Sequence, residues 1–388
     1  MQNFEGNGQF YSQGLTLIEL LIAMVLSLFL MGGVIAVLLD SKDHFFMSEE
    51  TSYIQENARF AVGQISYDLR MAGYFGCSVG GNLTNTLNGS NAANGGSFSS
   101  NGIKGFEYSE KSDVDFPADI EGSISPVIVL EPGTDVVVLN RGEPNDSLVV
   151  TSHNPPSSTV HLSVSHNMTK GDILVMATPN CRNMSIFQMT GPTSANPSHI
   201  NHDKNNTMSP GNCKKALSTA TGEGYTCGTA SEPANSVTGV AFPPGSALMK
   251  FSSQAYFIST SEVTGLPTLF RMTLGNASGV AANQVEEVVS GVEDMEIVYG
   301  VDTDAAADNL VNRYYSANEI TVDLATVGSF IAWDRVLTAR VTLILRSNTP
   351  VFSGNTAVNL GEGFTYNDRY MRQKVSSTVR IRNRGLGG

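Results

Sequence analysis

The chain of 388 residues is acidic, with a formal net charge of −13, although only 15% of its residues are charged. This length exceeds one average domain, and a hydrophobic content of 41% is enough for a sizeable core. A body this acidic repels phosphate backbones, which argues against general nucleic-acid binding. The 38 glycines, and a middle rich in Ser, Thr and Asn, favour a loop-rich extracellular β protein over a cytosolic enzyme.

The first predicted element is a helix over the apolar run from Leu15 to Leu39, which contains one charged residue, Glu19. Such a helix is about 37 Å long, enough to cross a hydrocarbon core of about 30 Å. Hydrophobic residues then recur at helical spacing from Ile54 to Leu69, and Gly73 is a natural end. We therefore predict one long helix. Its first half, residues 15–39, is transmembrane or filament core, and its second half, residues 40–73, is amphipathic.

The start of this helix carries a processing motif. The sequence Gly14-Leu15-Thr16-Leu17-Ile18-Glu19-Leu20 closely resembles the motif of the type IV prepilins. The resemblance implies that residues 1–14 are a leader removed after Gly14 by prepilin peptidase, and that Leu15 is then N-methylated. Leu15 stands where the family usually has Phe, and the leader contains neither Lys nor Arg, which weakens the orientation signal.

Glu19 needs a physical reason to lie inside an apolar helix. An unpaired carboxylate in lipid is costly, whereas a paired one is much less so. After cleavage, the new N-terminus carries an ammonium group inside the same apolar surroundings. We therefore expect Glu19 of one subunit to neutralise the α-amino group of its neighbour and so fix their register during assembly.

Residues 74–388 are predicted to form a β-rich head. A Gly/Asn/Ser-rich stretch from Cys77 to Gly105 is expected to be a surface loop. The fold class is α+β: a pilin fold with a long N-terminal helix packed on a large antiparallel β-rich head. Two lobes are expected, at about 74–240 and 241–388. The predicted strands are 127–130, 135–140, 148–151, 160–164, 172–177, 184–189, 255–259, 268–274, within 285–301, 336–346 and 375–381.

Several short stretches are similar to one subgroup, the PilW-type minor pilins. The likeness touches both ends of the chain and parts of its middle. The stretches are Ala72-Gly73-Tyr74-Phe75-Gly76-Cys77, Gly171-Asp172-Ile173-Leu174, Gly291-Val292-Glu293-Asp294-Met295, Tyr299-Gly300-Val301-Asp302, Ala339-Arg340-Val341 and the ending Arg382-Asn383-Arg384.

Four cysteines, all after the apolar run, predict two disulfides in an exported region. Three pairings are possible. We favour Cys213–Cys227, which closes a short Gly/Thr-rich loop and leaves Cys77–Cys181 as a long-range bond. A zinc site is the weaker alternative, because the cysteines form no CxxC pair and His199 and His202 are the only close histidine pair in the sequence.

Three carboxylates at short spacing, Asp302, Asp304 and Asp308, are the candidate ligands for calcium. An EF-hand loop would have Gly at its sixth position and Glu at its twelfth, where this chain has Ala307 and Arg313. A solvated turn is therefore the preferred interpretation, with no metal or other cofactor.

No catalytic constellation is predicted, so the chain is not expected to be an enzyme. No nucleophile-elbow motif surrounds any Ser, and no phosphate-binding loop is present. The histidines between His153 and His202 are expected to be polar surface groups. The basic tail is expected to present charges along an edge strand, either to dock an acidic neighbour or to block aggregation; it comprises Arg372, Lys374, Arg380, Arg382 and Arg384.

Taken together, the motifs predict a minor pilin of a type IV pilus in a Gram-negative cell. The resemblance implies a role in pilus assembly initiation or the tip complex, and so in twitching motility, adhesion or DNA uptake. Its implied partners are other minor pilins, the major pilin, prepilin peptidase and a large tip adhesin. The chain would lie in the inner membrane with a periplasmic head before assembly, and in the pilus fibre or tip afterwards. The alternatives are a minor pseudopilin of type II secretion and, less favoured, a membrane-tethered periplasmic enzyme.

Overall fold

The computed structural model describes residues 16–76, 81–88, 102–108, 130–143, 148–193, 197–205, 207–228, 239–277, 280–304, 308–323, 332–361 and 363–383. One long helix leads into a head built of β-sheets, which confirms the α+β class. The elements in chain order are α1 (Leu17–Met71), β1 (Asn82–Asn85), β2 (Ile103–Tyr108), β3 (Thr134–Glu143), β4 (Val150–Asn154), β5 (Thr159–Leu162), β6 (Ile173–Ala177), β7 (Asn183–Gln188), β8 (His199–Asn201), β9 (Ala247–Thr260), β10 (Pro267–Ala277), β11 (Val280–Ser290), β12 (Val292–Val301), β13 (Arg313–Tyr315), α2 (Ala317–Asp323), β14 (Val336–Arg346), β15 (Thr356–Asn359), β16 (Thr365–Asp368) and β17 (Arg372–Arg380).

Helix α1 is continuous over 55 residues, or about 82 Å at 1.5 Å per residue. Thr16 caps its first turn, and the helix ends where the sequence predicts. Gly73 adopts a φ of 77°, in the left-handed region that glycine enters without a steric cost. Its N–H donates to the carbonyl oxygen of Asn140 at 2.9 Å, which ties the helix end to β3.

The larger sheet has eight strands, and its longest strand, β9, holds it together. The order β1-β7-β6-β9-β10-β11 forms the main path, while β3 pairs with β9 and β2 pairs with β3. Most pairs are antiparallel; β1 runs parallel to β7. Because β9 is 14 residues long, it pairs with β6 near its start and with β10 near its end.

The second sheet has four strands in the order β13-β12-β14-β17. Its β14 spans Val336–Arg346, the strand predicted from alternating apolar residues. The predicted strand within 285–301 is instead two strands, β11 and β12, because Gly291 turns the chain between them with a φ of 84°. A three-stranded sheet, β4-β5-β8, and the hairpin β15-β16 complete the described sheets.

In the part of the head that the structure describes, buried hydrophobic residues form four clusters. The largest cluster joins α1 to β3, β9, β10, β12, β14 and β17. Within it, the rings of Trp333 and Tyr299 meet edge to face, with their centroids 5.0 Å apart. A second fills the space between the larger sheet and the three-stranded sheet, around Phe187 and Phe242. Two smaller clusters surround Phe257 and Phe251. The helix is therefore part of the main core rather than an attachment to it.

Strands β3 and β9 pair as the two strands of a hairpin do, and residues 144–249, called the excursion below, are inserted between them. Glu143, at the end of β3, is the antiparallel partner of Lys250 near the start of β9. The chain thus leaves one strand and returns beside it after residues 144–249, which include β4 to β8. The expected two-lobe division at residue 240 stays a prediction.

Part of the predicted surface loop from Cys77 to Gly105 is structured. Its residues 82–85 form β1, which pairs with β7, and Leu87 is fully buried. Thr84 and Asn85 are also buried, and the Asn85 side chain accepts the Leu87 N–H at 3.2 Å, so these two polar residues belong to the fold rather than to a solvated loop.

Candidate functional site: the apolar helix and its seat on the head

The first turn of α1 is closed by a reciprocal cap between Thr16 and Glu19. The Thr16 N–H and hydroxyl both donate to Glu19 Oε2, at 3.1 and 3.0 Å, and the Glu19 N–H donates to Thr16 Oγ1 at 3.3 Å. This capping box satisfies donors that a helix start otherwise leaves unpaired. The predicted cleavage and methylation residues, Gly14 and Leu15, lie outside the described residues.

The first half of α1 touches no other part of the described chain. Its most apolar 18-residue window has a mean hydropathy of 2.7 and is 0% buried. Leu17, Phe29 and Leu30 are among many large hydrophobic side chains here that are more than two-thirds exposed. A surface of this kind is stable in lipid or against other apolar helices, but not in water. The helix therefore fits a membrane anchor.

The second half of α1 packs on the head through one stripe. The buried residues recur every three or four positions, so they lie on one face of the helix: Ile54, Ala58, Ala61, Ile65 and Leu69. The two alanines allow the helix backbone to approach β14 and β17 closely. The bounds 40–73 of the amphipathic half stay a prediction.

Polar contacts fix the helix along its length. Glu50 accepts from the Asn348 N–H at 2.9 Å and from the Thr349 hydroxyl at 2.7 Å, in the turn after β14. Asn57 donates to the carbonyl oxygen of Ser290 at 3.1 Å, at the turn between β11 and β12. These contacts fix the rotation of α1 about its axis and its position along that axis relative to both sheets.

Asp68 is the buried polar anchor near the end of the helix. Its carboxylate accepts from the Tyr256 hydroxyl at 2.5 Å and the Gln64 side chain at 3.3 Å, and lies 3.3 Å from an Arg141 guanidinium nitrogen. Burial and the neighbouring Asp68 charge raise the pKa of Tyr256, so this phenol remains a donor. The anchor joins α1 to β3 and β9.

The ending Arg-Asn-Arg supplies the cap of α1. The Asn383 side-chain amide donates to the carbonyl oxygens of Met71 and Ala72, both at 3.3 Å. The last carbonyls of a helix have no intrahelical partner, so this amide satisfies them from the far end of the chain. Sequence reasoning noted these residues but did not assign them this role, because nothing local links Asn383 to residue 71.

The basic tail runs along β17, an edge strand of the described four-stranded sheet, but Arg372 departs from the expected row of exposed charges. Arg372 is buried. Its Nε and Nη2 donate to the two carboxylate oxygens of Glu293 at 2.6 and 2.9 Å, and its Nη1 and Nη2 donate to those of Asp368, both at 2.7 Å. The hydrogen bonds from Arg372 hold the pKa of Asp368 down at about 2. This pairing attaches the β15-β16 hairpin to β12, so Arg372 is structural. Arg380 and Arg382 are exposed, as expected.

A small acidic cavity of about 300 Å³ lies where β3 meets β12. Asp135, Asp294, Glu107 and Glu296 contribute carboxyl groups to its lining. Asp135 accepts the Ile297 N–H at 2.7 Å. Burial, with the surrounding carboxylates, raises the pKa of Asp135 to about 8 and that of Asp294 to about 6. No sequence pattern signalled this group, because its members come from three distant strands.

The cysteine prediction is confirmed for Cys213–Cys227, whose sequence separation is 14 residues. Cys181 is disulfide-bonded as well. The predicted pair Cys77–Cys181 stays a prediction, because Cys77 lies outside the described residues.

The three candidate calcium ligands do come together. One carboxylate oxygen from each of Asp302, Asp304 and Asp308 lies within 4.8 Å of the others. However, Asp302 is buried, and its two oxygens already accept N–H groups from Asp304, Asp308 and Asn309 at 2.9 to 3.1 Å. These bonds favour an Asp-organised turn, in which the carboxylate replaces backbone acceptors.

The histidines are not all on the surface. His166 is 5% exposed and His202 is fully buried, which corrects the expectation of polar surface groups. The close pair in sequence, His199 and His202, is split: His199 lies opposite His161 on the three-stranded sheet, whereas His202 meets His153.

Comparison with known families finds two matches, one at the start of the chain and one in its last third. Residues 10–35 match the Prokaryotic N-terminal methylation motif, and residues 255–383 match the family described as Type IV Pilus-assembly protein W. No curated protein and no solved structure matches the chain. The second match runs from within β9 to the residues just after β17, and so contains most strands on which α1 is seated.

An apolar helix exposed at one end and seated on a β-rich head at the other is typical of a membrane-anchored, pilin-like protein. The two matches make the class more specific: they support a type IV pilin-like protein that takes part in pilus assembly together with other pilus components. The family points to a structural role rather than to catalysis. The resemblances to prepilins and to PilW-type pilins are confirmed.

Proposed function

We propose that this chain is a minor pilin of a type IV pilus, acting in assembly initiation or in the tip complex. The observation that carries the proposal is the unburied half of α1 beginning at a methylation motif. Such a helix serves as an anchor in the inner membrane and later as part of the filament core, with its head in the periplasm and then outside the cell. The large head suits a position at the tip, because a bulky subunit is hard to repeat along a thin fibre.

In this proposal, residues 1–14 are a leader cleaved after Gly14, Leu15 becomes the methylated N-terminus, and residues 15–39 and 40–73 are the two working halves of the helix. The partners are other minor pilins, the major pilin and prepilin peptidase, with a large tip adhesin as a further partner. Motility, adhesion and DNA uptake follow indirectly from a working pilus.

A minor pseudopilin of type II secretion is the second candidate, since it shares the leader and the helix. The match of residues 255–383 to a pilus-assembly family favours the pilus. Deleting the gene and measuring piliation and secretion separately distinguishes the two. Loss of pili with normal secretion supports the pilus; normal pili with failed secretion contradicts it.

Processing is tested with Gly14→Ala, using Gly8→Ala within the leader as the matched control. Coexpressed with prepilin peptidase, the control should lose residues 1–14, and Gly14→Ala should keep them, as read by intact mass. An enzyme tether need not be cut at this place. If Gly14→Ala is shortened like the control, the processing assignment is wrong.

Assembly through the helix start is tested with Glu19→Val. Thr16 still satisfies the Glu19-position N–H after this change, so the helix start is retained, while the partner for a neighbouring ammonium is lost. We expect normal processing and a large reduction in pilus number. Glu49→Gln, on the exposed face beyond the apolar run, is the control. Unchanged pilus numbers would show that Glu19 has no partner in assembly.

A further inference from the structure

Five of the six histidines lie between residues 153 and 202. Two of them form a pair in which His202 is fully buried and His153 is partly buried. The Nε2 atoms of His153 and His202 are 3.0 Å apart, with the rings nearly edge to face. His153 lies on β4 and His202 directly follows β8. Phe187 and Phe242 pack against the two rings and close the site on its apolar side.

A backbone donor fixes the protons of this pair. The Phe242 N–H donates to His153 Nδ1 at 3.0 Å, so that nitrogen must carry a lone pair. In neutral His153 the proton is therefore on Nε2, from which it is donated to His202 Nε2. His202 then carries its own proton on Nδ1, which is buried.

This arrangement leaves no place for an additional proton. A proton on His153 Nδ1 would face the Phe242 N–H, and one on His202 Nε2 would face the N–H of His153. Either position breaks one of the two hydrogen bonds and places a charge in a mainly apolar site. At His202, the backbone groups of His202 and Lys215 offset only part of the cost of burying that charge. A metal bridging the two Nε2 atoms is disfavoured for the same reason, because it would move the His153 proton onto Nδ1.

The charged surroundings do not favour protonation. Lys215 is within electrostatic reach of His202 and opposes a positive charge there; its ammonium donates to the Pro156 carbonyl at 3.0 Å. β7 and residues 239–246 carry no titratable side chain. Other titratable groups on neighbouring elements are His161, His199, Asp203, Lys204 and Lys214.

The pair connects three pieces of the excursion: β4, the end of β8, and the segment 239–246. That segment holds Phe242 in the core of the excursion and leads directly into β9. Its other described ties are mostly backbone bonds to Val150. We propose that the His153–His202 pair is an acid-labile latch, whose protonation releases segment 239–246 from β4 while the core around α1 stays folded.

The direction of the pH dependence follows from the burial of the pair. Burial lowers the pKa of His153 to about 4 and of His202 to about 3, from an ordinary value of 6.5. A depressed pKa gives stability that is fully present above pH 6.5 and is lost as the pH falls through the folded values. The latch therefore weakens between about pH 6.5 and pH 4.

The test is hydrogen exchange of the full chain in detergent micelles at pH 7 and pH 5, after correction for intrinsic exchange rates. We expect exchange in residues 239–246 to rise by at least about tenfold, and exchange in β12 and β14 to change less than twofold. The double variant His153→Asn/His202→Gln should show no rise. His161→Asn, an exposed position on β5, should behave as the wild type. An unchanged wild type, or a rise that persists in the double variant, overturns the latch.

Trp333 fluorescence shows whether the double variant retains the main core. If it does not, histidine titration of the wild type decides the question by NMR with labelled Cε1 carbons. The latch requires that the resonances of His153 and His202 stay those of unprotonated imidazoles down to about pH 5. Protonation of His153 and His202 near the ordinary histidine value of about 6.5 would refute it.

Discussion

Asp135 lies where β3 of the larger sheet meets β12 of the four-stranded sheet, among the carboxyl groups of Glu107, Asp294 and Glu296. Its hydrogen bond from the Ile297 N–H holds the two sheets together at this point. Burial raises the pKa of Asp135 to about 8, and the neighbouring carboxylates add to this, while the Ile297 N–H works in the opposite direction. The stabilising effect of Asp135 is fully present below the ordinary value near 4 and is lost as the pH rises through about 8.

Asp135→Asn should therefore stabilise the protein at alkaline pH. The amide oxygen can still accept the Ile297 N–H, and the ionisation is removed. We expect the free energy of unfolding to rise by about 1–3 kcal/mol at pH 8, with the difference shrinking as the pH falls towards 4. Thermal unfolding of the full chain in detergent at both pH values measures this. Glu262→Gln, at an exposed position, should have no effect, and a destabilising Asp135→Asn at pH 8 would contradict the argument.

At the scale of elements, α1 is held by contacts that span almost the whole chain. The cap from Asn383 joins the last strand to the end of the first helix, 312 positions away in sequence. With the Asp68 anchor, it holds the final turn of α1 against β3 and β9.

Asn383→Ala should loosen that final turn. Loss of a helix cap typically costs about 1 kcal/mol, so we expect a drop of about 0.5–2 kcal/mol in the free energy of unfolding. Exchange of amides in residues 66–72 should increase about tenfold, whereas residues 54–61 should be little affected. Asn355→Ala, at an exposed position, is the control. Equal exchange in both variants would show that Asn383 does not hold the helix.

The helix and the motif at its start could be predicted because their signals are local. The roles of Glu19, of Gly73 and of the stripe from Ile54 to Leu69 follow from residues close to them in sequence. Strand β14 was predicted for the same reason. By contrast, β1 could not be recognised, because Asn82–Asn85 is polar and becomes a strand only by pairing with β7. The acidic cavity and the His153–His202 pair likewise exist only after distant strands meet.

Two kinds of local signal misled the prediction. Arg372 belongs to an alternating basic strand, which suggested solvent-facing charges, but Glu293 and Asp368 are placed to pair with it. His166 and His202 lie among Ser, Thr and Asn, which suggested a surface, although hydrogen bonds satisfy many of those polar neighbours inside the fold.

At the scale of the whole molecule, α1, the four-stranded sheet and strands β2, β3, β9, β10 and β11 form one unit. The excursion between β3 and β9 adds β6 and β7 to the larger sheet, with β1 beside β7. All residues of the buried clusters around Trp333 and around Phe257 lie outside residues 144–249. The cluster around Phe242 lies wholly within that stretch. The cluster around Phe251 is shared, and it includes Phe75 from the segment after α1. Helix α1 therefore packs on a smaller head that is formed without residues 144–249, and the excursion enlarges this head.

Replacing residues 144–249 with Asn-Gly tests this division. Glu143 and Lys250 are already antiparallel partners, and Asn-Gly favours the two-residue turn that joins such strands. Cys77→Ser is included, since the deletion removes the other three cysteines. We expect a folded protein with Trp333 still buried and a single urea transition. Its stability should be lower by about 2–5 kcal/mol, because Phe75 and Phe251 lose apolar partners.

The matched control removes one residue more, 144–250, so that Glu143 faces Phe251. A shift of one residue moves every side chain of β9 to the opposite face of the sheet, so Tyr256 would leave Asp68 and the main core could not form. The control should therefore show solvent-exposed Trp333 emission without denaturant. If both deletions fold equally well, the register between β3 and β9 does not organise the head. If both fail, the core around α1 depends on the excursion, and the smaller head is not an independent unit.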